Sequence, residues 1–164
     1  MILETERLLR EFQSEDADAL LKVLGDPLAM QFYPAPFPQT EVEDWIRRNR
    51  ARYHDSGFGL WAMLLKDGEL IGDCGFFVRN LKGKFEYELG WHVRQDLWGK
   101  GFASEAARHC IAYAFSSVGI ERVIALIRPE NLSSCRVAEK NGMRCERVIF
   151  WRGYNHCVYS KSRA

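Results

Sequence analysis

Residues 85–106 read FEYELGWHVRQDLWGKGFASEA. The first nine residues alternate, and a period of two sorts them onto two faces of a strand. Glu86, Glu88, Gly90 and His92 share one face; Phe85, Tyr87, Leu89, Trp91 and Val93 share the other, which reads as the core face. The period then changes. After the small-residue turn around Gly99, Lys100 and Gly101, residues 104–117 place Ala106, Ala107, Cys110, Ile111, Ala114 and Phe115 at helical spacing, with Gly119 as the stop. Residues 122–127 follow as an apolar, β-branched run of the kind found in buried strands. Strand, turn, helix and strand make one βαβ unit, and such a unit crosses over right-handed to a parallel neighbour.

Working outward from that unit, the preceding segments predict antiparallel hairpins. Residues 58–65, 70–78 and 85–93 are strand-like runs separated by short connections, Lys66-Asp67-Gly68 and Asn80-Leu81-Lys82-Gly83. Further upstream, residues 3–12 read as a first strand. A helix follows Ser14, with Ala17, Leu20, Leu21 and Leu24 as its apolar stripe and Gly25-Asp26-Pro27 as its end. FYPAPFP at 32–38 excludes regular helix and central strand. A second helix is expected from Thr40, with Glu43 completing a capping box and Val42, Trp45, Ile46, Asn49 and Tyr53 on one face. Downstream, a short helix over 133–140 ends at Asn141-Gly142, and residues 145–151 and 157–160 form a strand pair around Arg152-Gly153-Tyr154-Asn155. The order is β-α-α-β-β-β-α-β-α-β-β. It predicts a single α/β (α+β) domain over 1–164 with a mixed, mostly antiparallel sheet of about seven strands and about four helices.

Composition narrows the function. With 23 basic and 22 acidic residues the net charge is +1, which argues against nucleic acid or an anionic membrane surface as the main partner. Five cysteines, at 74, 110, 135, 145 and 157, form no CxxC pair, and the four histidines show no i, i+4 pair. They read as reduced thiols of a cytoplasmic protein with no metal site. The opening MILETERLLREF is charged from residue 4 and predicts neither a signal segment nor a membrane span.

The glycine-rich turn is the chemical signal. A helix N-terminus presents unpaired N–H groups and about half a positive charge. Gly99 and Gly101 allow close backbone approach, Ala103 keeps the mouth open, and Lys100 adds a point charge. The glycines also suit a tight turn alone. A Walker A loop fails because the lysine lies between the glycines. A Rossmann fingerprint needs Gly or Ala where Ser104 stands, and normally opens a parallel sheet.

The third tenant of such a turn is the pyrophosphate of coenzyme A. Trp98-Gly99-Lys100-Gly101-Phe102-Ala103 resembles the [Q/R]-x-x-G-x-[G/A] loop of the GNAT superfamily of N-acetyltransferases, particularly its RimJ/RimL-like branch, with Trp98 where Gln or Arg is usual. Thr5-Glu6-Arg7-Leu8 is similar to that family's opening strand and Glu88-Leu89-Gly90-Trp91 to its central strand. Residues 129–134 and 139–143 resemble its late NxxS…KxGF segment, with Met143 in place of Phe.

The resemblance implies a GNAT-like sheet with a splayed parallel strand pair, an acetyl-CoA co-substrate, no metal, and an amine acceptor that is a small molecule or a protein N-terminus. It implies a monomer or homodimer. The main-chain groups of Trp91 and Val93 would pair with pantetheine, Trp98, Gly99, Lys100, Gly101, Phe102, Ala103 and Ser104 would cradle the pyrophosphate, and Asn131 would contact the pantetheine arm. Glu88 would be the base, with His92 beside it, and Ser134 would protonate the leaving thiol. Asn131 and Ser134 also suit helix capping, and Glu88 and His92 also suit a solvated sheet face. Glu105 reads as structural. In this fold the 32–38 loop and the last hairpin border the acceptor, which nominates Phe32, Tyr33, Phe37 and Tyr154, with Trp151, Asn155 and His156 nearby. Few acids in those stretches argue against a polycation. A catalytically inactive acyl-CoA sensor or adaptor on the same scaffold is the alternative.

Overall fold

The computed structural model describes Leu3–Glu4 and residues 8–164. The first strand, expected over 3–12, is a hairpin of two short pieces, β1 (Leu3–Glu4) and β2 (Leu8–Arg10); Thr5, Glu6 and Arg7 lie outside the described residues. Helices α1 (Ala17–Leu24) and α2 (Gln39–Ser56) come next. Strands β3 (Leu60–Leu64), β4 (Leu70–Leu81) and β5 (Lys84–Val93) form the meander. Then follow α3 (Phe102–Tyr113), β6 (Arg122–Ile127), α4 (Leu132–Lys140), β7 (Arg144–Trp151) and β8 (Tyr154–Ser162).

The eight strand segments form one sheet in the order β1-β2-β3-β4-β5-β6-β8-β7. Every neighbouring pair is antiparallel except β5 and β6. That parallel pair is joined at one register point only, Glu88 opposite Ile124, whereas β4 and β5 pair continuously from Gly72–Val93 to Leu81–Lys84. The strands on either side of the β5/β6 seam therefore part company, which is the expected splay.

Two hairpins close more tightly than the sequence suggests. Lys82 and Gly83 both take positive φ (51° and 91°), as do Arg152 and Gly153 (48° and 85°). This is the two-residue turn geometry that matches strand twist, so β4 and β8 run longer than expected.

The core lies between the sheet and the helices. Trp61, fully buried on β3, stacks on Tyr53 of α2 and meets Phe76 and Tyr113 edge-on. Within α2, Asn49 is buried but satisfied: its Oδ1 accepts from the Leu60 N–H at 3.0 Å and its Nδ2 donates to the Trp45 carbonyl. That pair of bonds fixes the start of β3 against the helix. The expected Thr40–Glu43 capping box does not form. The helix starts one residue earlier, with Pro38 in the capping position and Thr40 already inside the first turn.

The reading of the two β5 faces holds only in part. Leu89 and Val93 are buried, but Phe85 is 70% exposed and Tyr87 lies at the surface, while Glu86 is buried. The apolar side is only partly covered there, with Tyr87 meeting the buried Phe58 edge-on. Glu86 is instead roofed by Arg122 (3.3 Å) and Lys84 (3.2 Å).

Candidate active site

Two cavities meet over the end of β5. One, of about 330 Å³, runs along the glycine-rich turn and is bordered by Trp91, Val93, Trp98, Gly99, Gly101, Phe102, Ala103, Ser104 and Asn131. The second, of about 680 Å³, lies between α2, the 32–38 loop and the last hairpin; Phe37, Glu88 and Tyr154 border it. Phe32, Tyr33, Trp91, His92, Asn131 and Ser134 border both. The residues nominated from sequence thus border one or both of these adjoining cavities, except that Lys100 is exposed and borders neither.

Gly101 caps α3 with φ 81°, and Gly99 has φ 76°. Both are left-handed conformations that side chains resist, and a Cβ on either would point into open space. The turn is therefore bare for a reason beyond packing. The N–H groups of Ala103 and Ser104, in the first turn of a helix, lack i−4 acceptors. Arg136 and Lys140, one turn apart on α4, face the same cavity. Sequence reasoning passed over these two cations; their i, i+4 spacing after the NxxS segment was the available signal.

Trp98 accounts for its own departure from the family pattern. Its indole Nε1 donates to the Val93 carbonyl at 2.8 Å, tying the turn back to the strand it leaves. The Arg94 N–H donates to the Ile71 carbonyl, so ladder alternation directs the main-chain groups of Val93 and Trp91 away from β4, toward the splay. Trp98 occupies one of those groups and leaves the amides facing the gap. Arg94 itself braces the turn, bonding Asp96 at 2.6 Å and Glu69 at 2.7 Å.

At the junction stands a hydrogen-bonded chain. The Tyr33 hydroxyl lies 2.7 Å from His92 Nε2, and His92 Nδ1 lies 2.7 Å from Asp73 Oδ1. Asp73 is fully buried, and its other oxygen accepts from Trp45 Nε1 at 2.9 Å. A buried carboxylate with two donors fixes His92 with Nδ1 protonated and Nε2 open to the Tyr33 O–H. Burial, and then the charges of Asp73 and Glu88, push the Tyr33 hydroxyl above its ordinary value, so it keeps its proton. Neither Asp73 nor Trp45 was nominated from the sequence. The signal was a lone carboxylate inside the apolar run LIGDCGFF.

Glu88 is held by Arg79, whose Nε lies 2.5 Å from Oε2. Ser134 donates its backbone N–H to the Asn131 side chain, which caps α4. Across the larger cavity, burial holds His156 below its ordinary value, with Arg128 adding to the effect. No cysteine borders either cavity. Among the described residues no His, Cys, Asp and Glu cluster could hold a metal.

The signature of the acetyltransferase (GNAT) domain matches residues 7–144. The chain belongs to the GNAT family. Among Bacillus subtilis proteins, YkkB is 33% identical over 150 residues, covering 90% of this chain and 87% of its own. The N-acetyltransferase YnaD of the same organism is 33% identical over 149 residues, covering 89% and 84%. The solved structure of a GNAT-family acetyltransferase from Bacillus anthracis superimposes with TM-score 0.83 at 26% identity, covering 99% of this chain and 98% of that one. RimL, the ribosomal L7/L12 α-N-protein acetyltransferase, shares the fold, with TM-score 0.81 at 18% identity and coverage of 99% and 96%.

Membership makes this GNAT protein an acyltransferase with acetyl-CoA as the donor. The observed residues suit that donor: a bare, left-handed turn at a helix N-terminus, two cations opposite it, and strand amides directed into a splay. No helix among the described residues is long and apolar enough to cross a membrane.

Proposed function

We propose that this protein transfers an acetyl group from acetyl-CoA to a primary amine by direct attack in a ternary complex, at the junction of the two cavities. The acceptor is a small-molecule amine or a protein N-terminal α-amine, the latter in keeping with the RimJ/RimL-like sequence features. The observation that carries the reading is the Asp73–His92–Tyr33 chain, whose His92 and Tyr33 border both cavities.

When bound, acetyl-CoA supplies an activated acyl carbon and a thiolate leaving group. Main-chain amides of Trp91 and Val93 are suited to polarise the acyl oxygen. The amine's proton passes to the Tyr33 oxygen as the Tyr33 proton moves to His92 Nε2, and Asp73 stabilises the resulting imidazolium. The same proton returns through Tyr33, or through Ser134, to the departing sulfur, so one proton leaves the amine and one reaches the thiol. Glu88, nominated from sequence as the base, acts in this scheme through its charge beside the junction, because Arg79 occupies it. The acyl group is not parked on a cysteine: burial, then hydrogen bonding to Cys110, raises the Cys74 thiol, and the cavities hold no cysteine. Five free thiols favour a cytoplasmic setting.

Phe32, Tyr33, Phe37 and Tyr154 form the aromatic part of the acceptor wall. Free-thiol release measured with acetyl-CoA across N-terminal peptides, amino acids, polyamines and aminoglycosides tests the proposal. Release with an amine of the first two classes is expected. CoA binding without release on any amine would replace the transferase with an acyl-CoA sensor.

A further inference from the structure

The acceptor cavity carries more arginine than its own carboxylates neutralise. Arg79 is taken by Glu88, and Arg128 lies 3.4 Å from Glu130 and donates to the Phe32 carbonyl. Asp44, on the same wall, is paired with Arg47, and Glu41, the remaining carboxylate of the cavity, pairs with no arginine among the described residues, so five arginines face three carboxylates there. That leaves Arg48, Arg52 and Arg152, for which the described residues provide no carboxylate within ion-pair reach.

Each of the three rests on an aromatic face. Arg48 lies over Trp45 (5.7 Å), Arg52 over Phe77 (4.2 Å) and Arg152 over Trp151 (5.2 Å). A guanidinium stacked in this way keeps its N–H edge available for a planar or tetrahedral anion. Arg52 is the most confined. It is half-buried, shares the Phe77 ring with Arg79 (5.0 Å), and bonds only a neutral partner, the Asn49 side-chain oxygen. Burial, with the charges of Arg48 and Arg79 behind it, disfavours its charged form. A site arranged in this way gains from an incoming negative charge.

The helix sets the distance of that charge from the chemistry. Trp45 packs against His92 (5.8 Å between rings) and bonds Asp73. Arg48 and Arg52 lie three and seven residues further along α2 on the same cavity wall, which at the helical rise is roughly 5–10 Å from the level of His92.

We infer that the acceptor amine carries an anionic group, a carboxylate or a phosphate, which docks against Arg48 and Arg52 while the nitrogen faces His92 and Tyr33. This rests on the amine-acetylation reading of the same cavity. It narrows that reading to acceptors whose charge is separated from the amine by several bonds, which favours a side-chain or chain-end anion over the α-carboxylate of a simple amino acid.

The test is a ladder of ω-amino carboxylates of increasing chain length, each beside its primary amide, with aminoalkyl phosphates as a parallel series. Thiol release gives kcat/KM, and calorimetric titration in the presence of CoA gives binding without turnover. The acids of intermediate length are expected to exceed their amides by at least roughly tenfold, and the stronger of the two series identifies the anion. Arg52→Gln should bring the acid-to-amide ratio close to one. Arg48→Gln, at an exposed position that does not threaten folding, should lower it in the same direction. Equal treatment of acids and amides in both measurements, or a preference that survives both substitutions, overturns the subsite. Acid-selective binding without thiol release overturns the transferase reading and leaves the subsite standing.

Discussion

Asp73 and His92 face each other across the β4–β5 ladder, with Oδ1 and Nδ1 2.7 Å apart. The pair is cross-strand, so the sheet register sets its geometry, and Trp45 locks the other carboxylate oxygen from α2. Asp73 touches neither cavity. In the proposed scheme it is a positioning residue that acts through His92. Asp73→Asn keeps the shape but offers an amide where the imidazole needs an acceptor. This favours the opposite tautomer, so Nε2 would donate toward Tyr33 in place of accepting from it. We expect kcat to fall on the order of a hundredfold, with KM for acetyl-CoA unchanged. Steady-state kinetics check this, and an unaltered kcat would remove the chain from the mechanism.

The tyrosines give a pH prediction of definite sign. Burial is the main cause that raises the hydroxyls of Tyr53 and Tyr159 above the ordinary range. An acid whose folded value is raised keeps its proton in the native state while the unfolded chain ionises near pH 10. Stability from these groups is therefore complete below about pH 10 and declines as pH rises beyond it. Of the six tyrosines, the buried Tyr53 and Tyr159 should resist ionisation in a 295 nm titration until the protein unfolds. Thermal midpoints should drop steeply over the same interval. Six tyrosines titrating together near pH 10 in the folded protein would contradict the buried environments.

Gly101 separates fold from cofactor. Its φ of 81° makes any side chain cost about 1 kcal/mol, but a Cβ there meets nothing within 4 Å. Gly101→Ala should lower the melting temperature by only a few degrees. Gly101→Trp should fill the mouth of the smaller cavity and weaken CoA binding by a factor of about a hundred or more. Calorimetry with CoA decides; wild-type affinity in the tryptophan variant would remove the turn from the binding site.

Much of this was legible in the chain. The change from period two to helical period around Trp98, the hairpins before it and the NxxS segment after it led to the element order and to both cavity walls. What escaped has physical causes. Asp73 sits in a run, residues 70–78, whose members are otherwise apolar or small, and only the cross-strand register shows that His92 stands opposite it. Phe85 and Tyr87 read as core because alternation reports sidedness and not coverage. The arginines of the larger cavity come from α2, β4, the residue after β6 and the last turn, so no local pattern gathers them. Thr40 failed as a cap because Pro38, with its fixed φ, already suits the capping position.

The first helix carries an acid-sensitive clasp. Arg10 grips Asp16 through two nitrogens, at 2.7 and 2.9 Å, and the Gln13 N–H donates to the same carboxylate at 2.7 Å. Burial alone would raise the Asp16 carboxyl, but the hydrogen bonds and the charge of Arg10 outweigh it, and the net shift is downward. A depressed folded value means that the native state binds its proton later than the unfolded chain does. The clasp therefore stabilises fully above about pH 4, and that contribution is lost as pH falls through the lower folded value. Asp16→Asn should cost about 2 kcal/mol at neutral pH, because it leaves a partly buried guanidinium without its partner. The loss should shrink as the wild type is acidified, since the wild-type carboxylate is then neutralised too. Urea melts of both proteins at neutral pH and near pH 3 check this. A stability difference that stays constant across that interval would show that the clasp contributes through packing and not through charge.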